Sequence, residues 1–203
     1  MNERQQIVSI IDDDEDVRDS LVELIDSIGL QAKSYASAIH FLDEADINQA
    51  GCILADVRMP GMSGIELQHK LNDLDASQPL IIMTGHGDIT MAVQAMKDGA
   101  FEFLQKPFRD QELLECIAKA LELDNKNLNE LESQHATQKL VKSLTIRERE
   151  VIDKVLEGKV NKIIARELDI SVRTVEIHRS HAMEKLCVKS VAELVKIMLS
   201  IQP

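Results

Sequence analysis

Residues 52–64 read CILADVRMPGMSG. Four apolar residues run into one carboxylate, Asp56, and the run then breaks up in a loop rich in Gly and Pro. An apolar run this short, bounded by turn residues, reads as a buried strand. A carboxylate at its end makes sense only if that end lies at the rim of a sheet rather than in its core. The chain on either side repeats the pattern. IVSII (7–11) is a short strand that runs straight into Asp12 and Asp13, and PLIIMT (79–84) is a strand ending in Thr84. FEFLQKPF (101–108) holds a strand that stops at Lys106 and Pro107. Between these runs the apolar period changes from strand to helix. Val17, Leu21, Leu24, Ile25 and Ile28 form a stripe over 15–28 that ends at Gly29. Helices are also expected over 65–71, 89–99 and 111–123. Strands alternating with helices specify a doubly wound α/β fold, a parallel sheet with helices on both faces.

In such a sheet, ligands bind beyond the carboxyl ends of the strands. Four strands here deliver Asp12, Asp13, Asp56, Thr84 and Lys106 to the same edge. Carboxylates crowded together raise one another's pKa unless a cation neutralises them. The carboxylates suit Mg²⁺, which takes oxygen ligands, and a carboxylate at such a site can act as a nucleophile and take up a phosphoryl group. Asp14, Glu15 and Asp16 are read differently, as acids at a helix start that complement its dipole. His86 lies in the adjacent loop and is assigned no chemistry.

The chain has 203 residues and a net charge of −12, unevenly spread. Residues 1–144 hold 12 basic and 26 acidic side chains, while residues 145–203 hold 11 and 9, so the balance moves from −14 to +2. The acidic part should be repelled by nucleic acid, which the C-terminal part can tolerate. The 3 cysteines have neither metal-ligand spacing nor a disulfide pattern. No apolar run suits a membrane span or a signal peptide, so a soluble cytoplasmic protein is expected.

Residues 124–143 contain neither Gly nor Pro and read as a helix continuing the one before. Leu121, Leu128 and Leu131 offer a weak coiled-coil seam there; the alternative is an exposed helix that contacts nothing. The remainder is helical throughout. Thr145 and Glu148 form a capping box for a helix that closes at Gly158. NKIIAREL follows, and then Ser171 caps a helix over 172–185 that spacing predicts to bury Val172, Val175, Ala182, Met183 and Leu186. A last helix covers 190–200. The short turn between the middle two helices makes a helix-turn-helix, whose second helix normally enters the major groove of DNA.

The N-terminal motifs, including Asp56 in DVRMPGMSG (D-x-x-M-P-x-x-x-G), resemble those of the receiver domain of two-component response regulators, which has a CheY-like five-stranded sheet. The stretch from Leu144 to Val195 resembles the LuxR/NarL-type DNA-binding domain, and the whole resembles FixJ-like transcriptional regulators. The resemblance implies a receiver over 1–122, a helical linker over 123–143 and a separate all-α four-helix domain over 144–203. It implies Asp56 as phosphoacceptor, Mg²⁺ held by Asp12, Asp13, Asp56 and the Arg58 backbone carbonyl, Thr84 and Lys106 as sensors of the phosphoryl group, and Phe103 as a switch side chain. It places Glu176, Ile177, Arg179 and Ser180 towards the groove. Arg179 can reach guanine and Glu176 can accept from cytosine. Lys162, Arg173 and Thr174 suit phosphates. His178 and His181 fit packing or phosphate contacts better than metal ligation. Val160 stands where relatives often carry proline. The implied partners are a histidine kinase, promoter DNA, a second copy of the chain after phosphorylation and, more remotely, RNA polymerase.

Two other readings are weighed. Phosphatases of the haloacid dehalogenase class also use a strand-end Asp with Mg²⁺, but need an acid two residues on, where this chain has Arg58; a regulator rather than an enzyme is expected. The C-terminal helices could instead bind RNA or dock on protein, a reading that SVRTVEIHR argues against.

Overall fold

The structure, a computed structural model, describes residues 5–85 and 89–199. It contains two compact units, Met1–Leu128 and Asn129–Pro203.

The first unit alternates strand and helix. Its elements are β1 (Ile7–Ile11), α1 (Glu15–Ser27), β2 (Gln31–Tyr35), α2 (Ala38–Glu44), β3 (Gly51–Asp56), α3 (Gly64–Asp73), β4 (Leu80–Thr84), α4 (Ile89–Lys97), β5 (Glu102–Gln105) and the first half of α5 (Asp110–Lys142). The five strands are all parallel, in the order β2-β1-β3-β4-β5. Alternate residues of each strand feed separate cores. On one face Val8, Ile10, Leu54 and Met83 pack with Leu21 and Ile25 of α1 and Leu113 and Ile117 of α5. On the other, Ile11, Ile53 and Ile82 pack with Phe41 of α2, Leu67 of α3 and Ala95 of α4. Strands buried on both faces must be apolar throughout, and β3 and β4 have no exposed residue.

Residue-level reading finds four of these strands; β2, QAKSY, has no apolar pattern. It is an edge strand in which Tyr35 alone is fully buried, so its sequence had no hydrophobic face to declare. Helix α1 opens on Asp14, whose carboxylate accepts from the N–H groups of Asp16 (3.0 Å) and Val17 (3.4 Å). Asp14 therefore caps the helix directly, worth about 1 kcal/mol, rather than acting only through the dipole. Ile28 ends the α1 stripe, but lies beyond the helix and is exposed. His86 falls outside the described residues.

Helix α5 runs unbroken from Asp110 to Lys142, as the absence of Gly and Pro predicts. It stays attached to the sheet beyond residue 122. The buried Asp124 carboxylate accepts from Gly51 N–H at 2.8 Å and from Gln6 Nε2 at 3.3 Å. The leucine seam does not form as one stripe. Leu121 is committed to the core of the first unit, whereas Leu131 is exposed, as are all residues from 129 to 136.

The second unit holds α6 (Ile146–Leu156), α7 (Asn161–Glu167), α8 (Val172–Lys185) and α9 (Val191–Leu199) around Val151, Ile152, Ile164, Val175, Ala182, Leu186 and Leu194. Both expected caps are present. Thr145 and Glu148 make the reciprocal capping box of α6, and Ser171 Oγ accepts from Thr174 N–H at 3.0 Å. Val172 departs from the wheel: at the first helical position it points outward and is exposed, and Met183 is only half-buried. Val160 precedes α7 with φ −80°, an extended conformation that any L-residue adopts, so the missing proline leaves the turn intact.

Candidate functional site

Strand register assembles the site. Ile11 pairs with Ala55 and Asp56 with Met83, so Asp12 leaves β1 beside Asp56 and Thr84 leaves β4 one step further along. Thr84 pairs with Gln105, and the Lys106 N–H donates to the Thr84 carbonyl at 2.7 Å. Lys106 Nζ then reaches back across the rim. It donates to Asp12 Oδ2 at 2.6 Å and to Asp56 Oδ1 at 2.7 Å. Both acids are buried, as is Thr84. Burial by itself would pull the Lys106 ammonium pKa down; the bonds to Asp12 and Asp56 outweigh it and hold the pKa above the ordinary lysine value. Lys106 is therefore a cation at any physiological pH.

The remaining oxygens are also held. Asp56 Oδ2 accepts from Arg58 N–H at 2.6 Å, and Asp12 Oδ1 from Asp14 N–H at 3.0 Å. Arg18 of α1 donates from Nη1 to the Asp12 carbonyl at 2.8 Å, while Asp12 N–H donates to the Tyr35 carbonyl at 3.3 Å. Sequence reasoning missed Arg18 and Tyr35, which bond to backbone and so leave no spacing signal. It also gave no reason for the last glycine of the D-x-x-M-P-x-x-x-G loop. A Cβ on Gly64 would sit 2.4 Å from the Asp56 carbonyl oxygen, so α3 can start against Asp56 only without a side chain there.

Asp13 is exposed and is not gathered onto Lys106; it shares the wall of one depression with Arg58, whose side chain is also exposed. Among the described residues, no three His, Cys, Asp or Glu side chains are grouped to hold a metal ion. The site nonetheless fits Mg²⁺. Two buried carboxylates already converge on one cationic group and offer oxygen ligands, and Mg²⁺ usually takes one or two carboxylates and completes its shell with water and phosphate. Phe103 is half-buried against the core that contains Ala95 and Ile82. On α4, Ile89, Val93 and Met96 are exposed.

In the second unit, α8 presents Arg173, Glu176, Ile177 and Ser180 to solvent, and Lys162 of α7 is exposed. Thr174 is half-buried, its hydroxyl 2.7 Å from Ser171 Oγ. Arg179 stands apart from the exposed set. It is half-buried, and its Nη1 donates to Asn161 Oδ1 of α7 at 3.1 Å. His178 is half-buried and His181 exposed. A further pair escaped sequence reading. Glu148 is buried, accepts from Lys185 Nζ of α8 at 2.7 Å and from Thr145 N–H at 2.8 Å, and has its pKa lowered to about 2 by those bonds, that to Lys185 foremost. The capping box was legible, but Lys185 lies 37 residues away.

Residues 8–118 match the family model described as the response regulator receiver domain, and residues 142–198 match that of the bacterial regulatory proteins of the luxR family. The chain is 43% identical over 197 residues to the response regulator protein TmoT of Ectopseudomonas mendocina, covering 97% of this chain and 90% of that protein. It is 42% identical over 192 residues to the transcriptional regulatory protein FixJ of Azorhizobium caulinodans, covering 95% and 91%. Among solved structures, the response regulator StyR superposes with a TM-score of 0.88 at 42% identity, covering 96% of this chain and 98% of that one.

Proposed function

Because the chain belongs to the two-component response regulators with a LuxR-type DNA-binding domain, we propose that this transcription regulator is switched by phosphorylation of Asp56. The observation that carries the proposal is the Lys106 ammonium, 2.7 Å from Asp56 Oδ1 and 2.6 Å from Asp12 Oδ2. It sets a compensating cation against a buried carboxylate at the rim of the sheet, where that carboxylate can act as a nucleophile.

The receiver implies a histidine kinase as donor. An Asp56 carboxylate oxygen attacks the phosphorus of the kinase's phosphohistidine. The P–N bond breaks, its electron pair returns to the imidazole, and an acyl phosphate remains on Asp56. Asp12, Asp13, Asp56 and the Arg58 carbonyl would hold Mg²⁺, which when bound neutralises charge on the phosphoryl oxygens. Arg58 N–H, already on Asp56 Oδ2, fixes the carboxylate's orientation. Once the phosphoryl group is in place, Lys106 turns from the carboxylates to its oxygens, and the Thr84 hydroxyl bonds another. Lys106 N–H is tied to the Thr84 carbonyl, so the two sensors move together. Phe103, three residues before Lys106, turns inward with them.

The consequence is dimerisation through α4 and β5, where Ile89, Val93 and Met96 are available, and paired DNA-binding domains then occupy a two-fold promoter site. Pairing is needed because a module with a charge of +2 binds DNA weakly alone, and linking two raises their effective concentration. Glu176, Ile177 and Ser180 face bases, while Lys162, Arg173 and Thr174 face phosphates. The functional division is 1–122 for the receiver, 123–143 for the connecting helix and 144–203 for the DNA-binding domain, with Asp124 and Asn125 tying the start of that helix to Gly51 and Gln6.

Mass spectrometry after incubation with acetyl phosphate and Mg²⁺ tests the assignment. The wild type gains one phosphoryl group, and Asp56→Asn gains none. A phosphorylated Asp56→Asn protein would move the acceptor elsewhere.

A further inference from the structure

On α8, the stripe that enters the core is Val175, Ala182 and Leu186, all buried. At the helical period, Arg179 lies only about 40° around the axis from Val175, whereas Glu176, Ile177 and Ser180 lie about 100° or more away. Arg179 thus leaves the helix on the flank of the core face. Its guanidinium does not turn back towards the exposed stripe, but meets Asn161 Oδ1, the first residue of α7, at 3.1 Å. Both residues are half-buried. Besides packing among Ile164, Ala165 and Val175, this hydrogen bond is a polar tie between the two helices of the helix-turn-helix.

We propose that Asn161 and Arg179 form a brace that sets how α8 is presented to DNA, and that Arg179 is a positioning residue rather than a reader of guanine. The inference rests on the reading that α8 enters the groove. The physics favours the brace on two counts. An Arg aimed at a base must place its planar fork edge-on to guanine, and a guanidinium tied to Asn161 on the core flank cannot do so without abandoning that bond. Small rotations of a recognition helix displace several base contacts at once, whereas phosphate contacts, which position without specifying, tolerate them better. Loss of the brace should therefore reduce sequence-specific affinity more than general affinity for duplex.

The pair suits this role better than two apolar residues would. A hydrogen bond between a planar amide and a planar guanidinium restricts both distance and angle, while apolar packing restricts distance mainly. Asn161 is also the first helical residue of α7, so the bond ties the start of α7 to the middle of α8.

The test uses full-length protein, acetyl phosphate and Mg²⁺, and a duplex selected by the phosphorylated wild type from a random pool. Specific affinity is measured on that duplex and general affinity on a scrambled one, and the selection is repeated with each variant. Asn161→Ala and Arg179→Met are each expected to lose about tenfold on the selected duplex and less than threefold on the scrambled one. The double variant should lose no more than either single one, because both remove the same tie. Asn161→Asp, which keeps the acceptor, should restore specific affinity to within about threefold of wild type. The selected base pattern should be the same for all of them. Three results would overturn the brace: additive losses in the double variant, equal losses on both duplexes together with a lowered melting temperature, or loss of preference at a single base pair with Arg179→Met alone. Glu176→Gln is the control on the groove reading. It should change the preferred base at one position per half-site, and if it does not, α8 is not the reading helix and the brace has no recognition role.

Discussion

Gly64→Ala is the substitution that most sharply tests how the acidic site is built. The new Cβ would lie 2.4 Å from the Asp56 carbonyl oxygen and 3.1 Å from the carbonyl carbon, where ordinary contact begins near 3.4 Å. The obstacle is backbone at the end of β3, where Asp56 pairs with Met83 of β4, so it cannot yield as a side chain would. Helix α3 must back away by most of an ångström, breaking the 3.0 Å bond from Gly64 N–H to the Val57 carbonyl or straining its own capping box at Ser63. Overpacking of this kind costs about 2 kcal/mol, which for a unit of this size lowers the melting temperature by about 8 °C. Asp56 and Arg58 shift with the loop, so phosphorylation by acetyl phosphate should slow at least tenfold. Gly61→Ala provides the comparison. Gly61 has φ +83° and open space around it, the nearest atom being Ile39 Cδ1 at 3.4 Å. That change costs about 1 kcal/mol of backbone strain without disturbing Asp56. Differential scanning calorimetry and phosphorylation rates measure both. If Gly64→Ala melts within 2 °C of wild type and phosphorylates at the wild-type rate, the close approach of α3 to Asp56 does not constrain the site.

Further outcomes follow from the charged groups. Lys106→Met removes the cation shared by Asp12 and Asp56 and leaves two buried carboxylates facing each other, so stability at pH 7 should fall by about 2 kcal/mol in urea melts. Glu148, with its pKa lowered to about 2 from 4.5, contributes stability that is present above about pH 4.5 and is lost as the pH falls towards 2. Because Lys185 is partly exposed to solvent, the contribution is nearer 1–2 kcal/mol than the full shift implies. Glu148→Gln should lose that amount at pH 7, and its urea curve should converge with that of wild type only as the pH reaches about 2. Chelating divalent ions should stop phosphorylation by acetyl phosphate while leaving the melting curve of the unphosphorylated protein within 2 °C, because Lys106 already compensates the carboxylates.

How much of this was legible in the sequence depends on whether a residue's job is periodic. Strands β1, β3 and β4 are buried on both faces and announce themselves as apolar runs; β2, at the sheet's edge, does not. Asp12, Asp56, Thr84 and Lys106 could be placed at one rim because strand ends are readable and parallel register does the rest. That Lys106 bridges Asp12 and Asp56, while Asp13 stands exposed beside them, depends on side-chain reach across 94 and 50 residues and has no local signal. Arg179 is instructive in another way. Its place beside Val175 follows from helical period alone, whereas the resemblance groups it with the groove-facing residues. The leucine seam in α5 failed because Leu121 was already claimed by the core beneath it.

Phosphorylation of Asp56 should convert the chain from a weak to a paired DNA binder. Sedimentation of the full-length protein on its selected duplex, with and without acetyl phosphate and Mg²⁺, tests this most directly. A monomer of 22.8 kDa that binds poorly is expected before phosphorylation, two chains per duplex after it, and no change for Asp56→Asn. Two chains on the duplex without phosphorylation, or an Asp56→Asn protein that responds like wild type, would contradict it.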